Sequence, residues 1–259
     1  VSRFGGHVLS FQPKGQKQVL WLSQHAFFEA QTPFRGGVPI IWPWFGSHTT
    51  NSSLPAHGFA RRSLWQVRET AVLPHATRLL LALSDNKQTR AIWPHPFDLL
   101  LEVLAGETLT LTLTSTNKGD APFTYGAALH SYFTVGDIGQ TAVYGLDGVV
   151  YIDQLADNQH NIQAGNITFA AETDNIYLHT PHTAIIEDDL NQREIIIEKA
   201  GSLSTVVWNP WLEKAKRMRD FGDEEFQEMV CVETANAAED VRTLGMGETA
   251  VLSAKIYVR

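Results

Sequence analysis

The sequence has few cysteines and few clustered basic residues, which are features of disulfide-rich proteins and of proteins that bind nucleic acid or membranes. Of its 259 residues only Cys231 is a cysteine, which excludes an intramolecular disulfide framework and leads us to expect a reducing compartment, the cytoplasm. Lysine and arginine form no run, and 20 basic residues stand against 28 acidic ones, giving a formal net charge of -8. Nucleic acid and anionic membrane surfaces require a basic patch, so neither is an expected partner.

Long hydrophobic segments are missing as well. No apolar run reaches the ~18 residues that a membrane-spanning helix needs, and no charged segment followed by an apolar stretch opens the sequence. The chain begins with Val1 and not with Met, so the exclusion of a signal applies to the residues shown. No Cys/His spacing resembles a zinc knuckle or ribbon, and the sequence therefore predicts no metal site.

Alternation of apolar and polar residues dominates what is present. In "ETLTLTLTSTN", Leu109, Leu111 and Leu113 alternate with threonines, which is the pattern of a strand with one buried face. "FDLLLEVLAGE" before it ends in a glycine-containing turn, so the two segments predict an antiparallel hairpin. "TRLLLALSD", "REIIIEKAG", "STVVWNPW", "MVCVETAN" and "TAVLSAKIYVR" are further strand candidates.

Helical periodicity is scarce. Only "PWLEKAKRMRDFG" and "DEEFQEM" have helix-like composition, and neither keeps an apolar stripe over three turns, so short helices or ordered loops are expected there. Hydrophobic residues make up 44% of the chain and charged residues 19%, which suits a folded protein with a substantial core. With no repeat and no polar linker, the sequence predicts one all-β domain over residues 1 to 259.

An arginine heads an unusually aromatic segment, "RGGVPIIWPWFG", which begins at Arg35. Pro39 and Pro43 interrupt it too often for a long helix or a membrane span. We interpret it as a rigid segment that holds the Arg35 guanidinium in a fixed position. Trp42 and Trp44 have an alternative explanation as ordinary core residues, and no ligand role is assigned to them.

Four other motifs carry chemically useful groups, each with an ordinary structural alternative. "LPAHGFARRSLW" holds His57 and Arg61, which could simply lie in a polar loop. "ALHSYFTVGDIG" predicts His130 on a strand, where a hydrogen-bonded structural histidine is the alternative to a proton carrier. "VCVETAN" predicts Glu233 at the end of an apolar strand, as a surface acid or a site residue. Asp174 in "TDNIYLH" could cap a turn.

Taken together, "RGGVPIIWPWFG", "PAHGFAR", "LHSYFTVGDI", "TDNIYLH" and "MVCVETAN" occur in an order and at separations that resemble the hexose-6-phosphate mutarotases, the glucose-6-phosphate 1-epimerase branch of the aldose 1-epimerase family. The resemblance runs over nearly the whole chain. It implies a galactose-mutarotase-like supersandwich, a large antiparallel β-sandwich, which agrees with the alternating pattern.

The resemblance also implies roles for individual residues. His130 in "LHSYF" and Glu233 in "CVETA" match the family's catalytic histidine and glutamate. Arg35 in "RGG" and Arg61 in "HGFAR" match the arginines that hold the substrate, especially its phosphate. The implied partner is a small-molecule sugar phosphate, and we expect a cytoplasmic monomer.

Two more positions match sugar contacts, and two features depart from the family pattern. Asp174 matches a sugar-binding aspartate, and His57 resembles a histidine that lines the sugar site in relatives. Ala56 stands where some relatives carry a hydrogen-bonding glutamine, and the leading segment expected from the resemblance is absent from the start of the sequence.

The implied reaction is the interconversion of α and β anomers. A base takes the proton of the anomeric hydroxyl while an acid protonates the ring oxygen, and the roles reverse on closure. Glu233 as carboxylate and His130 as imidazolium would supply this pair without a metal or cofactor. A non-catalytic carbohydrate-binding β-sandwich is the alternative function, and a glycosidase, which normally needs two carboxyl groups, is a third possibility.

Overall fold

The alternating segments of the sequence all form strands in the structure. The structure is a computed structural model that describes residues 1–29 and 32–259. In these residues the strands, numbered in chain order, are β1 (Ile40–Ile41), β2 (Gln66–Val72), β3 (Ala76–Ser84), β4 (Phe97–Gly106), β5 (Leu109–Asn117), β6 (Phe123–Tyr125), β7 (Ala127–Leu129), β8 (Tyr132–Thr134), β9 (Thr141–Tyr144), β10 (Val150–Asp153), β11 (Gln159–Ile162), β12 (Ile167–Thr168), β13 (Thr173–Leu178), β14 (Ala184–Asp188), β15 (Arg193–Ala200), β16 (Ser204–Asn209), β17 (Met229–Asn236), β18 (Arg242–Leu244) and β19 (Thr249–Val258).

Two large antiparallel sheets contain most of these strands. An eight-stranded sheet has the order β1-β7-β17-β16-β13-β10-β11, with β8 also paired to β17. A nine-stranded sheet has the order β12-β9-β14-β15-β19-β5-β4-β3-β2, and β18 pairs with β6 in a small third sheet. The predicted hairpin is confirmed, because β4 and β5 pair antiparallel with Ala105 opposite Leu109.

Helices are few and short, as the sequence predicts. The α-helices are α1 (Lys87–Ile92) and α2 (Trp211–Ala215), and 3-10 turns cover Ala60–Arg62, Ile138–Gln140, Asp189–Asn191, Glu225–Glu228 and Ala238–Asp240. The prediction missed α1, which is too short for a periodic stripe. A capping box fixes its start. The Asn86 side chain accepts a hydrogen bond from the Thr89 backbone N–H, and the Thr89 hydroxyl accepts one from the Asn86 backbone N–H. No helix in the described residues is long and apolar enough to cross a membrane.

Both sheets contribute to one main hydrophobic core. Leu111 and Ile256 enter it from the nine-stranded sheet, and Val207 and Val232 enter it from the eight-stranded sheet. Successive residues of a strand point to opposite faces. The residues next to Val207 and Val232 in sequence therefore project from the eight-stranded sheet on the side away from its partner sheet.

Strand register places both candidate carboxylates on that outer face. Glu233 pairs with Val206, and Asp174 pairs with Trp208. Residues paired directly across an antiparallel ladder project to the same side, and Val206 and Trp208 are two residues apart on one strand. The register alone thus brings Glu233 and Asp174 to the same face, from strands that lie on either side of β16.

Candidate active site

A cavity of about 370 Å³ on this outer face holds all six of the residues that the sequence singled out. They are Arg35, His57, Arg61, His130, Asp174 and Glu233. The remaining residues of its lining are Phe45, Gly46, Ser47, Ala56, Tyr132, Gln154, Val206, Trp208, Lys214 and Met218.

A gap between two short strands brings His130 to Glu233. β7 ends at Leu129, which pairs with Thr234, and β8 begins at Tyr132, which pairs with Cys231. His130 lies in this gap and not within a strand, contrary to the sequence prediction. Glu233 is the fifth of the eight residues of β17, so the predicted position at the strand end is also wrong. The interrupted ladder leaves His130 facing the middle of β17.

His130 and Glu233 form a buried acid–base pair. Nδ1 of the imidazole lies 3.3 Å from Oε1 of the carboxyl group. Glu233 is only 2% exposed, which excludes the interpretation as a surface acid, and His130 is 7% exposed. In the described residues neither Nδ1 of His130 nor Oε2 of Glu233 has a hydrogen-bond partner. Buried polar atoms are normally satisfied, so both atoms have hydrogen-bonding capacity that the described residues do not use.

The surroundings disfavour charge on both members of this pair. Burial lowers the pKa of His130 well below its ordinary value, and His57, Arg61 and Arg35 lower it further. Burial also raises the pKa of Glu233 well above its ordinary value; Asp174 adds to this, while Arg61 opposes it. The unliganded site therefore favours neutral imidazole beside protonated carboxyl, which differs from the ion pair expected from the sequence.

Aromatic rings fix the orientation of the His130 imidazole. The ring of Tyr132 stacks on it with centroids 4.8 Å apart and planes 8° from parallel. His57 and Trp208 approach it edge-on at 5.7 Å and 6.4 Å. The backbone N–H of His130 donates to the carbonyl of Pro39 at 3.1 Å. Aromatic contacts on several sides therefore restrict the imidazole, which lines the cavity.

Arg35 reaches the cavity because the two glycines after it allow close backbone packing. Gly36 and Gly37 have φ values of +117° and +61°. A Cβ at Gly37 would lie 2.2 Å from the carbonyl oxygen of Val8, so only glycine fits there. The buried His7 bonds through Nε2 to the Gly36 carbonyl at 2.6 Å. The "RGG" motif is therefore a backbone requirement as well as a source of charge.

One edge of the Arg35 guanidinium is already occupied. Nε donates to Oδ2 of Asp220 at 3.2 Å and Nη2 to Oδ1 at 3.4 Å, while Nη1 donates to the Tyr132 hydroxyl at 3.0 Å. Burial opposes the charged form, but Tyr132 and Asp220 outweigh it and raise the pKa of Arg35. Arg35 is thus a permanent cation whose charge Asp220 largely neutralises.

Arg61 carries an uncompensated charge by contrast. Its Nη2 donates to the carbonyl of Ala56 at 2.9 Å, and no described residue accepts from its buried Nε. Burial lowers the pKa of Arg61 to about 10, with Arg35 and Arg62 adding to the effect despite Tyr132 and Glu233. Arg61 is half-buried as a whole, and a guanidinium with an unused donor in such a position favours an anionic ligand.

His57 lines the same cavity, with its ring centroid 5.7 Å from that of His130. Its Nδ1 accepts from the backbone N–H of Gly46 at 3.3 Å, and its own φ is +63°. Burial, followed by Arg61 and Arg35, lowers the pKa of His57 to about 3. His57 is therefore a neutral polar residue in the lining of the cavity.

Asp174 is held by two polar neighbours that the sequence reading did not identify. Gln154 donates from Nε2 to its Oδ1 at 2.6 Å, and Nζ of Lys214 lies 3.7 Å from its Oδ2 and 2.8 Å from Oε1 of Glu172. Burial raises the pKa of Asp174 although Lys214 opposes this. Asp174 is a strand residue, so the interpretation as a turn cap is wrong.

The residues that sequence reasoning missed come mainly from loops and from α2. Tyr132 could have been found, because it alternates with His130 in a recognised motif. Asp220 and Lys214 lie in "PWLEKAKRMRDFG", which gave only a weak helical signal, and Gln154 lies in a turn after β10. In the described residues no group of three or more His, Cys, Asp or Glu side chains is placed to hold a metal ion.

Comparison with known proteins agrees with this arrangement. The family model described as Aldose 1-epimerase matches residues 1–256. A protein of Cenchrus ciliaris named "Putative glucose-6-phosphate 1-epimerase" is 38% identical over 255 residues, which cover 95% of this chain and 76% of that protein. A protein of the same name from Escherichia coli K12 is 38% identical over 236 residues, covering 91% of this chain and 78% of the relative.

A solved structure shows the same fold. The crystal structure of a "putative mutarotase" from Salmonella typhimurium superimposes with a TM-score of 0.93 at 35% identity, covering 99% of this chain and 85% of that one. The predicted galactose-mutarotase-like β-sandwich is confirmed. With the family model matching nearly the whole length, this chain belongs to the aldose 1-epimerase family.

Proposed function

We propose that this protein interconverts the α and β anomers of a hexose 6-phosphate, with glucose 6-phosphate as the substrate that its relatives' names indicate. The observation that carries the proposal is the buried His130–Glu233 pair, 3.3 Å apart, in a cavity that also holds two arginines. A ligand-binding protein has no need of an acid and a base at this distance.

The spacing of the pair suits the two oxygens that exchange protons. The anomeric hydroxyl and the ring oxygen are both bonded to C1, so the acid and the base must also lie next to each other. Glu233 takes the proton of the anomeric hydroxyl, His130 protonates the ring oxygen, and the C1–O bond of the ring breaks to give the open-chain aldehyde. Rotation about the bond between C1 and C2 and reversal of the two transfers close the other anomer.

The remaining cavity residues suit a phosphorylated sugar. Arg61, with its open Nε donor, is the principal phosphate contact, and Arg35 adds the guanidinium edge that Asp220 leaves free. The resemblance implied a phosphate role for both arginines without ranking them. Asp174 accepts hydrogen bonds from sugar hydroxyls, held in place by Gln154 and Lys214.

Saturation-transfer NMR with glucose 6-phosphate and glucose side by side tests the proposed function. We expect the enzyme to accelerate anomer exchange of glucose 6-phosphate well above the spontaneous rate, and that of glucose less. A carbohydrate-binding protein would perturb signals without faster exchange. A glycosidase would instead release reducing sugar from a glycoside.

Removal of Arg35 should affect stability as well as substrate binding. Arg35→Ala leaves the Asp220 carboxylate, 18% exposed, without its partner, and an unsatisfied partly buried acceptor costs about 1 to 3 kcal/mol of unfolding free energy. The double variant Arg35→Ala/Asp220→Asn should recover much of the stability but not the preference for glucose 6-phosphate. Thermal unfolding and exchange kinetics on the same samples check both parts, and recovery of the preference in the double variant would contradict the phosphate role.

The same proposal includes four expectations about the chain as a whole. We propose one catalytic domain over residues 1 to 259, acting as a monomer in the cytoplasm without a metal or cofactor. Size-exclusion chromatography with light scattering, and activity measured in the presence of a chelator, check the oligomeric state and the metal independence.

A further inference from the structure

A row of paired strand residues crosses the cavity from one side to the other. Tyr132 on β8 pairs with Cys231 on β17, which pairs with Trp208 on β16. Trp208 also pairs with Asp174 on β13. Neighbouring strands lie ~4.8 Å apart, so the row extends roughly 14 Å from Tyr132 to Asp174. Tyr132, Trp208 and Asp174 all line the cavity, which therefore has one end at Tyr132 and the other at Asp174.

The Tyr132 end holds the groups assigned to the phosphate and to the ring oxygen. Nη1 of Arg35 donates to the Tyr132 hydroxyl at 3.0 Å, and the His130 ring stacks on that of Tyr132 with centroids 4.8 Å apart. Nη2 of Arg61 donates to the backbone carbonyl that precedes His57, whose ring centroid lies 5.7 Å from that of His130. Both arginines and the proton donor therefore belong to this end of the cavity.

A lysine lies at the Asp174 end. Lys214 is part of α2 and lines the cavity. Its Nζ is 2.8 Å from Oε1 of Glu172, 3.7 Å from Oδ2 of Asp174 and 5.8 Å from the centre of the Trp208 ring. The contact with Glu172 has hydrogen-bonding length, whereas 3.7 Å is too long for a hydrogen bond to Asp174. The ammonium is thus fixed beside the Asp174 carboxylate without being bonded to it.

This arrangement of Lys214 and Asp174 suits a sugar hydroxyl. An ammonium has three donors, of which Glu172 takes one. Gln154 donates to Oδ1 of Asp174 at 2.6 Å, while Oδ2 faces the ammonium. A hydroxyl oxygen about 2.8 Å from both Nζ and Oδ2 would accept from the first and donate to the second. The two side chains therefore form a donor–acceptor pair for one hydroxyl group.

The positions of the reacting atoms decide which hydroxyl reaches this pair. His130 delivers its proton to the ring oxygen, and C5, which is bonded to that oxygen, carries the phosphorylated C6. The ring oxygen and the phosphate therefore point toward the Tyr132 end. In a six-membered sugar ring the atom opposite the ring oxygen is C3. The C3 hydroxyl is thus the group directed toward Asp174 and Lys214.

We propose that Lys214 is a specificity-determining residue that, together with Asp174, binds the C3 hydroxyl of the hexose 6-phosphate. Nζ donates to the hydroxyl oxygen, and the hydroxyl proton is donated to Oδ2 of Asp174. Glu172 and the Trp208 ring restrict the lysine side chain, which reduces the conformational entropy lost on binding. This role rests on the proposed function and deepens it, because it names a position remote from the reaction that the enzyme recognises.

Deoxy sugars combined with a lysine variant test the assignment. We would measure anomer exchange of glucose 6-phosphate, 3-deoxyglucose 6-phosphate and 2-deoxyglucose 6-phosphate by saturation-transfer NMR, in the unmodified protein and in Lys214→Met. Methionine keeps a long unbranched side chain and removes the ammonium. In the unmodified protein, loss of the C3 hydroxyl should lower kcat/KM by roughly 10-fold or more, because a hydrogen bond to a charged group is lost.

The decisive quantity is the coupling between the change in the sugar and the change in the protein. Lys214→Met has already lost the contact, so the 3-deoxy loss should be smaller in this variant by roughly 3-fold or more. The effect of removing the C2 hydroxyl should be the same in both proteins. Coupling to the 2-deoxy sugar instead, or to neither sugar, would overturn the proposal.

Lys216→Met is the matched control. Lys216 lies two residues further along the chain, pairs with Glu213 at 3.5 Å and does not line the cavity. The same chemical change there should leave both deoxy comparisons as they are in the unmodified protein. Equal coupling in Lys214→Met and Lys216→Met would indicate a general effect of charge and would contradict a direct contact. Thermal unfolding checks that the variants are folded, and Lys214→Leu carries the same test if Lys214→Met is not.

The outcomes distinguish this inference from the proposed function. Rapid exchange of glucose 6-phosphate without coupling between Lys214 and the C3 hydroxyl would leave the function standing and overturn the inference. Absence of enzyme-dependent exchange would overturn the proposed function, and the inference with it.

Discussion

Replacing Glu233 by glutamine should slow anomer exchange of glucose 6-phosphate by at least ~10²-fold, because a positioned acid or base typically contributes ~10²- to 10⁴-fold. Glutamine keeps the shape of the side chain in its buried position on β17 but has no carboxyl proton to give and no basic oxygen to receive one. The loss should appear mainly in kcat, since the change removes chemistry and not a binding contact. Saturation-transfer NMR at saturating substrate measures it.

The control for this variant is Glu239→Gln, which makes the same chemical change at a side chain that is 61% exposed. Its exchange rate should match that of the unmodified protein. Thermal unfolding and substrate binding should show that Glu233→Gln is folded and still occupied by the ligand. Near-normal turnover in that folded variant would mean that another group acts as the base.

Replacing Arg61 by alanine should weaken the use of glucose 6-phosphate far more than that of glucose. A hydrogen bond to a charged group contributes ~1.5 to 3 kcal/mol, which corresponds to a roughly 10- to 150-fold loss in kcat/KM for the phosphorylated sugar. Glucose lacks the phosphate and loses no such contact. The ratio of the two kcat/KM values, measured by anomer exchange, should therefore fall by about that factor.

Two comparisons sharpen the Arg61 experiment. Arg61→Lys should rescue only part of the loss, because an ammonium is a point charge and does not offer the paired donors of a guanidinium. Arg62→Ala should leave the ratio unchanged. Equal losses for glucose and glucose 6-phosphate in Arg61→Ala would assign this arginine to the structure of the cavity or to general sugar binding.

The strands were predictable because burial on one side of a sheet imposes a period of two on the sequence. β5 shows this directly, with Leu109, Leu111 and Leu113 buried and the threonines between them half-buried. The short strands β7 and β8 offered no such pattern, since every residue from Ala127 to Phe133 is buried. The gap that displaces His130 toward Glu233 is a property of strand pairing, which local periodicity does not encode.

The six candidate residues were identified from motifs, but their partners were not. Asp220 and Lys214 act on residues far away in sequence, and no local pattern indicates which distant side chain a charged group will meet. The same holds for the protonation of the catalytic pair. The sequence shows that Glu233 and His130 are ionisable, whereas their burial and the positions of Arg61 and Asp174 determine which form each adopts.

The contact between Arg35 and Asp220 also bears on how the protein folds, because it joins residues 185 positions apart in the chain. Contacts between distant residues close large loops and lose much chain entropy before they become favourable, so proteins rich in them fold slowly. The β4–β5 hairpin can form from neighbouring residues, while the anion site must wait for β17 and the segment after α2 to join the beginning of the chain. On refolding from denaturant, the β-sheet signal should therefore recover first, and enzymatic activity should mark the final stage of assembly.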